Sequence, residues 1–389
     1  MRETGLNHSN VFEKNPFKTL GTVFLVFFVL ADLLCANGYK ALRGYSFPER
    51  GQEKFSQVEK TYRVASALYH HDLAKNKSVD GTCWGDKKSF LRTNSLGFRD
   101  KEPRFVPLEP DNYRIVLIGD SFTEGMGIEY ERTFAGLIAA DLEKKGIEVL
   151  NAGVASYSPI IYWRKIKYLI EDVKLKFDEL VVFIDISDAE DEAEFYYLDD
   201  KGNVAGKEKA AVKKKKDIRR RIRELPNKIE DTLKDNFILI YYGYKRLLGL
   251  FNYKDFGTAI QLERSLWTTD SGVFEKYGRE GLRLMGHYME RLYELLEKNG
   301  IKLTVAVYPW PDQIVNQDLD SAQVSFWKKW CGNRGVRFVN YFGYFIDKNS
   351  PAKSRANLKR FFITGDVHWN EEGHGLIADV FLKERAVSE

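Results

Sequence analysis

Residues 114–125 read RIVLIGDSFTEG. The run Arg114–Ile118 is short, apolar and β-branched, and Gly119 ends it, the pattern of a strand buried on both faces. A helical pattern begins around Thr133, so Ser121 falls on a tight strand-to-helix turn. At such a turn the hydroxyl is lifted out at the carboxyl end of the sheet and the residue's own N–H faces an incoming oxygen, which is what a nucleophile needs. The plainer alternative is a structural turn in which Asp120 serves only as a cap.

Four further runs of the same kind lie along the chain: Ile147–Leu150 (IEVL), Glu179–Ile186 (ELVVFIDI), Ile301–Tyr308 (IKLTVAVY) and Val336–Asn340 (VRFVN). Between them Thr133–Lys145, Ile160–Glu171, Lys276–Asn299 and Asp320–Asn333 carry apolar residues at helical spacing, as in Leu282, Met285, Met289, Leu292, Leu295 and Leu296. Strand and helix in alternation predict an α/β fold, a parallel sheet covered on both faces. Functional groups then gather at the carboxyl ends of the strands, near the topological switch point.

Two segments break the alternation. Residues 38–110 are polar and aromatic-spiked without a repeat, and are expected to space the globular body from the membrane and pack on its flank. Residues 188–270 form an insertion far longer than an ordinary crossover, so it needs structure of its own. It holds a basic run, Lys207–Arg223 (KEKAAVKKKKDIRRRIR), and an amphipathic stretch, Asn236–Phe251. The run reads as a solvated helix face or, more sharply, as a contact for anionic lipid or glycan.

Near the N-terminus Thr19–Ala36 (TLGTVFLVFFVLADLLCA) is apolar but for Asp32, close to the ~17 to 25 residues that cross a bilayer. Lys14 and Lys18 precede it, so the positive-inside tendency keeps that end cytoplasmic and sends the rest of the chain outside. The expected organisation is a cytoplasmic tail (1–18), a transmembrane anchor (19–36), an N-terminal extension (37–110) and a catalytic domain (111–389) with a helical insertion at about 188–270. A cleaved signal peptide and a buried core helix are the rivals. The net charge of +4 gives no reason to expect nucleic acid. Three cysteines (Cys35, Cys83, Cys331) cannot build a disulfide framework or a paired-cysteine zinc site, although an extracytoplasmic Cys83–Cys331 bridge is open.

A nucleophilic serine needs a base, and the chain has six histidines. His8 lies in the tail, His287 within a helical pattern, and His70 and His71 in the extension. The segment Gly365-Asp366-Val367-His368-Trp369-Asn370 lies in a loop before a last helix, Glu371–Arg385, which Asn370 is placed to cap. Asp366 and His368, two apart on extended backbone, project to one side, so the carboxylate can hold the imidazole in the tautomer that accepts the Ser121 proton. His374 falls inside the helix, as a packing or capping residue.

In these blocks the chain resembles the SGNH, or GDSL, superfamily of serine esterases and acyltransferases, over roughly Arg114 to Glu384. The resemblance implies a three-layer α/β/α sandwich around a five-stranded parallel, flavodoxin-like sheet, with no cofactor and no metal. It makes Ser121 the nucleophile, His368 the base and Asp366 its orienting acid. The Ser121 N–H is the first oxyanion donor, and the glycine block Asn151-Ala152-Gly153-Val154 supplies the Gly153 N–H as the second. The third block departs: Asp185-Ile186-Ser187-Asp188 puts Ser187 where the family has asparagine. The last block is Asp366-Val367-His368-Trp369, a short form that looks like the membrane-anchored branch moving acetyl groups on exopolysaccharides. That implies an acylated glycan as substrate and a multi-span acyltransferase as partner. Trp163, Trp267, Trp310 and Trp369 are candidate platforms for sugar rings. The opposing hypothesis is a catalytically inactive binding or scaffold protein, prompted by the altered third block and the basic insertion.

Overall fold

The computed structural model describes residues 15–43, 58–84, 87–207, 237, 240 and 262–388. The basic run beyond Lys207 and most of the amphipathic stretch lie outside them. Contacts divide the chain into two units, residues 1–49 with 208–255, and residues 50–207 with 256–389. In the first, α1 (Pro16–Arg43) contains Pro16–Leu34, apolar enough and long enough to cross a membrane, with mean hydropathy 2.0. Its apolar side chains are mostly exposed, Phe17 to 89%, which a helix buried in a soluble core would not show. The one acidic side chain in this window, Asp32, accepts a hydrogen bond from the Ile240 N–H (2.9 Å).

The second unit is built on five strands. They are β5 (Arg114–Ile118), β6 (Glu148–Asn151), β7 (Glu179–Ile184), β10 (Lys302–Val307) and β11 (Arg337–Asn340), preceded or interrupted by three hairpins. All five pair in parallel in the order β11-β10-β7-β5-β6. The expected parallel sheet is therefore present, and the strand order reverses between β5 and β7, which opens a crevice at the carboxyl end of β5. Every residue of β5 and β7 is buried, which is why both read as unbroken apolar runs.

Helices α3 (Phe134–Glu143), α4 (Pro159–Glu171), α5 (Arg279–Lys298) and α6 (Ala322–Gly332) connect the strands. A further helix, α7 (Pro351–Phe361), comes after β11, and α8 (Glu371–Ser388) closes the chain. Helix α3 packs on α8, and α4 on α5. Right-handed crossovers put the first pair on one face and the second on the other, giving three layers. The α5 stripe is as the spacing predicts, with Leu282, Met285, Met289, Leu292 and Leu296 buried. In α6 the Cys331 thiol is free and buried, and burial pushes it up to about 12; the Cys83 side chain lies outside the described residues.

The extension is more than a spacer. It forms two antiparallel hairpins, β1 (Arg63–Ser66) with β2 (His70–Leu73) and β3 (Ser78–Trp84) with β4 (Lys87–Arg92). From β2, Asp72 Oδ1 takes a hydrogen bond from Lys165 Nζ of α4 at 2.8 Å, and that ammonium, fully buried, lies among the rings of Tyr69, Phe98 and Tyr157. The described ends of the insertion also belong to the body. They are a hairpin, β8 (Tyr196–Leu198) with β9 (Val204–Gly206), and a 3₁₀ turn, Glu263–Thr268, whose Trp267 Nε1 donates to Ile186 O (2.8 Å).

Removing one partner of a buried ion pair leaves an uncompensated charge, at a cost of about 3 to 5 kcal/mol. Lys165→Met is thus expected to lower unfolding stability by ~3 kcal/mol in urea titrations. A loss within experimental error would show that the extension is not part of the folded body.

Candidate active site

The turn after β5 is shaped by what cannot fit there. A Cβ on Gly119 would sit 2.2 Å from Thr123 Oγ1 and 2.9 Å from Phe183 O. The chain then enters a single helical turn, α2 (Ser121–Glu124), capped by Asp120, whose Oδ1 accepts from Phe122 N (3.0 Å). The cap thus sits directly beside the candidate nucleophile. Gly125, at φ +80°, ends the turn, and the buried Arg99 locks it by donating to Glu124 O and Gly125 O (2.5 Å each) and to Ile128 O. Ser121 is the first residue of this turn, so its N–H has no intrahelical acceptor.

The loop before α8 brings the base. His368 Nε2 lies 2.8 Å from Ser121 Oγ, across 247 positions of sequence, and His368 Nδ1 lies 2.6 Å from Asp366 Oδ1. An ionised carboxylate only accepts, so Nδ1 carries the hydrogen and Nε2 presents its lone pair to the serine hydroxyl. The same Oδ1 accepts the His368 backbone N–H (3.1 Å), which locks the two side chains on one side of the strand-like segment. Beneath them Phe122 packs 4.8 Å from the imidazole and 4.7 Å from Trp369, which is fully buried. Asn370 caps α8 through Gly373 N (3.0 Å), and His374 Nδ1 accepts from Phe134 N (3.1 Å) at the start of α3.

Ser121, Asp366, His368 and Ser187 line one cleft of about 290 Å³, with Asp120, Ser156, Asp191, Leu262, Arg264 and Trp310. Two larger depressions of about 420 Å³ lie toward the amino ends of the strands, and no serine or histidine lines either. Gly153 needs correction. Its N–H donates to Asn151 Oδ1 (3.0 Å), and its missing side chain lets it press on Thr123, where a Cβ would come within 2.6 Å. It therefore supports the Ser121 turn and is absent from the cleft lining. The residue that the same loop presents is Ser156, held at φ +65°, with no acceptor for its N–H among the described residues. Glycine attracted the sequence assignment, yet the left-handed position is occupied by a serine.

The other candidates separate cleanly. His287 is an exposed residue of α5, and His71 sits behind the Ser156 loop with Nε2 2.8 Å from Ala155 O. Of the four tryptophans only Trp310 lines the cleft, its Nε1 donating to Asp185 Oδ2 (2.6 Å). Trp163, Trp267 and Trp369 are buried in the core.

Below the nucleophile three buried carboxylates, Asp120, Asp185 and Asp188, bring oxygens within 4.8 Å of one another. They accept from Tyr308 (3.2 Å), Trp310 (2.6 Å) and Tyr162 (2.9 Å) and from backbone N–H groups, and Asp120 Oδ2 lies 3.3 Å from Ser121 Oγ. Burial, then the neighbouring Asp185 charge, holds Asp120 and Asp188 well above the usual carboxylate range, so protons shared in the cluster relieve the crowding. Beside them burial pushes Asp191 up to about 7 against the pull of Arg264 (2.9 Å), and Glu192 up to about 8 against its hydrogen bond from Ile160 N.

No family model matches the chain, and no curated protein matches it. The chain is similar to several solved structures. A Desulfitobacterium hafniense protein described as lipolytic and of the G-D-S-L family is 13% identical, covering 70% of this chain and 99% of its own, with a TM-score of 0.37. An acetylxylan esterase from Geobacillus stearothermophilus is 12% identical (72% and 96% covered, TM-score 0.36), and the esterase EstA from Pseudoalteromonas 9% (72% and 100%, TM-score 0.34). At these values the likeness does not extend to chemistry, which stands on the distances above.

Because the native state holds the Glu192 proton up to about pH 8 while an unfolded chain releases it near 4.3, unfolding releases a proton across that window and stability falls as pH rises. Glu192→Gln removes this dependence. Its melting temperature relative to the parent is expected to rise by roughly 3 °C or more between pH 5 and pH 9. An unchanged difference would mean that Glu192 is ionised in the fold.

Proposed function

We propose that the chain is a membrane-anchored serine esterase or O-acyltransferase of the SGNH type, acting outside the cytoplasm on a small acyl ester, acetyl in the leading case, of a glycan or similar molecule. The observation that carries this is the unbroken Ser121–His368–Asp366 chain of hydrogen bonds at the switch point of the sheet. Ser121 Oγ attacks the ester carbonyl carbon while His368 Nε2 takes its proton. The Ser121 and Ser156 N–H groups face the developing oxyanion, with Ser187 at the third position. Asp366 stays ionised and stabilises the imidazolium. The tetrahedral intermediate collapses, the leaving alkoxide takes the proton back from His368, and the acyl group stays on Ser121.

Water or a sugar hydroxyl, deprotonated in turn by His368, then attacks the acyl-serine, so hydrolysis and transfer differ only in the acceptor. The span Pro16–Leu34 supports anchoring, and Lys18 at its start supports an inward-facing N-terminus and an outward-facing catalytic unit.

Ser121→Ala in the full-length protein is expected to lower kcat on p-nitrophenyl acetate by about 10⁶-fold, as for a working triad. Asp366→Asn, which leaves the imidazole in the wrong tautomer, is expected to cost ~10⁴-fold. Adding an oligosaccharide distinguishes the two acceptors: a transferase releases nitrophenol faster and yields acylated sugar, a hydrolase does neither. Unaltered turnover in Ser121→Ala would leave an inactive binding protein as the correct description.

A further inference from the structure

The Ser156 N–H belongs to the peptide unit that joins Ala155 to Ser156. Because that unit is planar and trans, its C=O and its N–H point in opposite directions. Whatever holds Ala155 O therefore also fixes the direction of the Ser156 N–H, and Ser156 lines the cleft. That holder is His71, from the extension, with Nε2 2.8 Å from Ala155 O.

A carbonyl can only accept, so His71 Nε2 carries hydrogen. Its Nδ1, 2.8 Å from His70 Nδ1, is then the acceptor and His70 the donor, so the tautomers of both rings are fixed. Burial pushes His71 down to about 4, and His70 down as well, in keeping with a neutral pair. The neighbouring groups converge on the same few atoms. The Ala155 N–H donates to Glu124 Oε2 (2.7 Å), and Glu124 is paired with Arg63 of β1 (3.0 Å). Tyr196 OH donates to Ser156 O (2.9 Å), and its ring meets that of His70 at 5.1 Å. Tyr157 OH donates back to His71 O (2.7 Å). His70 and Ser156 both carry positive φ, +74° and +65°, conformations that residues with a Cβ keep only where their surroundings impose them.

We infer that His71 is a positioning residue for catalysis: through Ala155 O it fixes the peptide plane whose Ser156 N–H receives the oxyanion. The extension is thereby a working part of the site. This rests on the esterase proposed above, with p-nitrophenyl acetate as the probe.

The test uses the full-length protein and a double-mutant cycle. His71→Ala is expected to lower kcat ~10-fold or more with KM within about 2-fold, since a misplaced donor weakens the transition state and not the ground state. His71→Gln, whose amide can donate to the same carbonyl, is expected to restore most of that loss. In a Ser156→Gly background, where the left-handed conformation costs no Cβ strain, the His71→Ala penalty is expected to shrink. Parental kcat in folded His71→Ala, equal losses in the Ala and Gln variants, or the same penalty in both backgrounds would each overturn the inference. Ser121→Ala separates the two levels: if it keeps turnover, the esterase itself is wrong, and if it loses turnover while His71→Ala keeps it, only the positioning role fails.

Discussion

The contact between Ser121 Oγ and His368 Nε2 is the constraint to which the rest of the fold is subject. A serine hydroxyl and an imidazole 247 positions apart in the chain can meet at 2.8 Å only if each sits on backbone with no freedom to drift. On the serine side the freedom is removed by Gly119, which has no room for a side chain, by the Asp120 cap and by the Arg99 guanidinium closing the turn. On the histidine side it is removed by Asp366, by the bridge between Phe362 and Trp369, and by an aromatic floor of Phe122, Tyr308 and Trp369. The sheet supplies the common frame, since its strand order opens a crevice where β5 ends.

Electrostatics divides the site into two regions. Beside His368 the Asp366 carboxylate is partly exposed. Below Ser121 the carboxylates of Asp120, Asp185 and Asp188 are buried together and cannot all ionise, so charge is traded for protons and for donors from Tyr162, Tyr308 and Trp310.

Much of this was legible in the sequence, for reasons tied to particular residues. Strands buried on both faces must be apolar throughout, so RIVLI and ELVVFI declared themselves, and a serine directly after such a strand is already placed at the active edge. Asp366 and His368 were legible because two residues suffice to bring side chains to one face. The conformation of the Ser156 loop was not, since Gly153 is a glycine for close packing whereas Ser156 takes the left-handed conformation with no glycine to signal it. Nor was the extension's part in the body. Nothing local marks Lys165 as a buried cation, because its partner Asp72 lies 93 positions away, or Arg99 as the clasp on a turn 25 positions on. The four tryptophans show the same limit from the other side: composition offered them as sugar platforms, and packing put three of them in the core.

The measurement that bears most directly on the central contact is the site of covalent capture by a fluorophosphonate, located by mass spectrometry of the digested full-length protein. A serine activated by His368 is expected to carry the adduct on the peptide containing Ser121, and His368→Ala is expected to react far more slowly while remaining folded. An adduct at a different residue, or labelling of Ser121 that is indifferent to His368, would contradict the account.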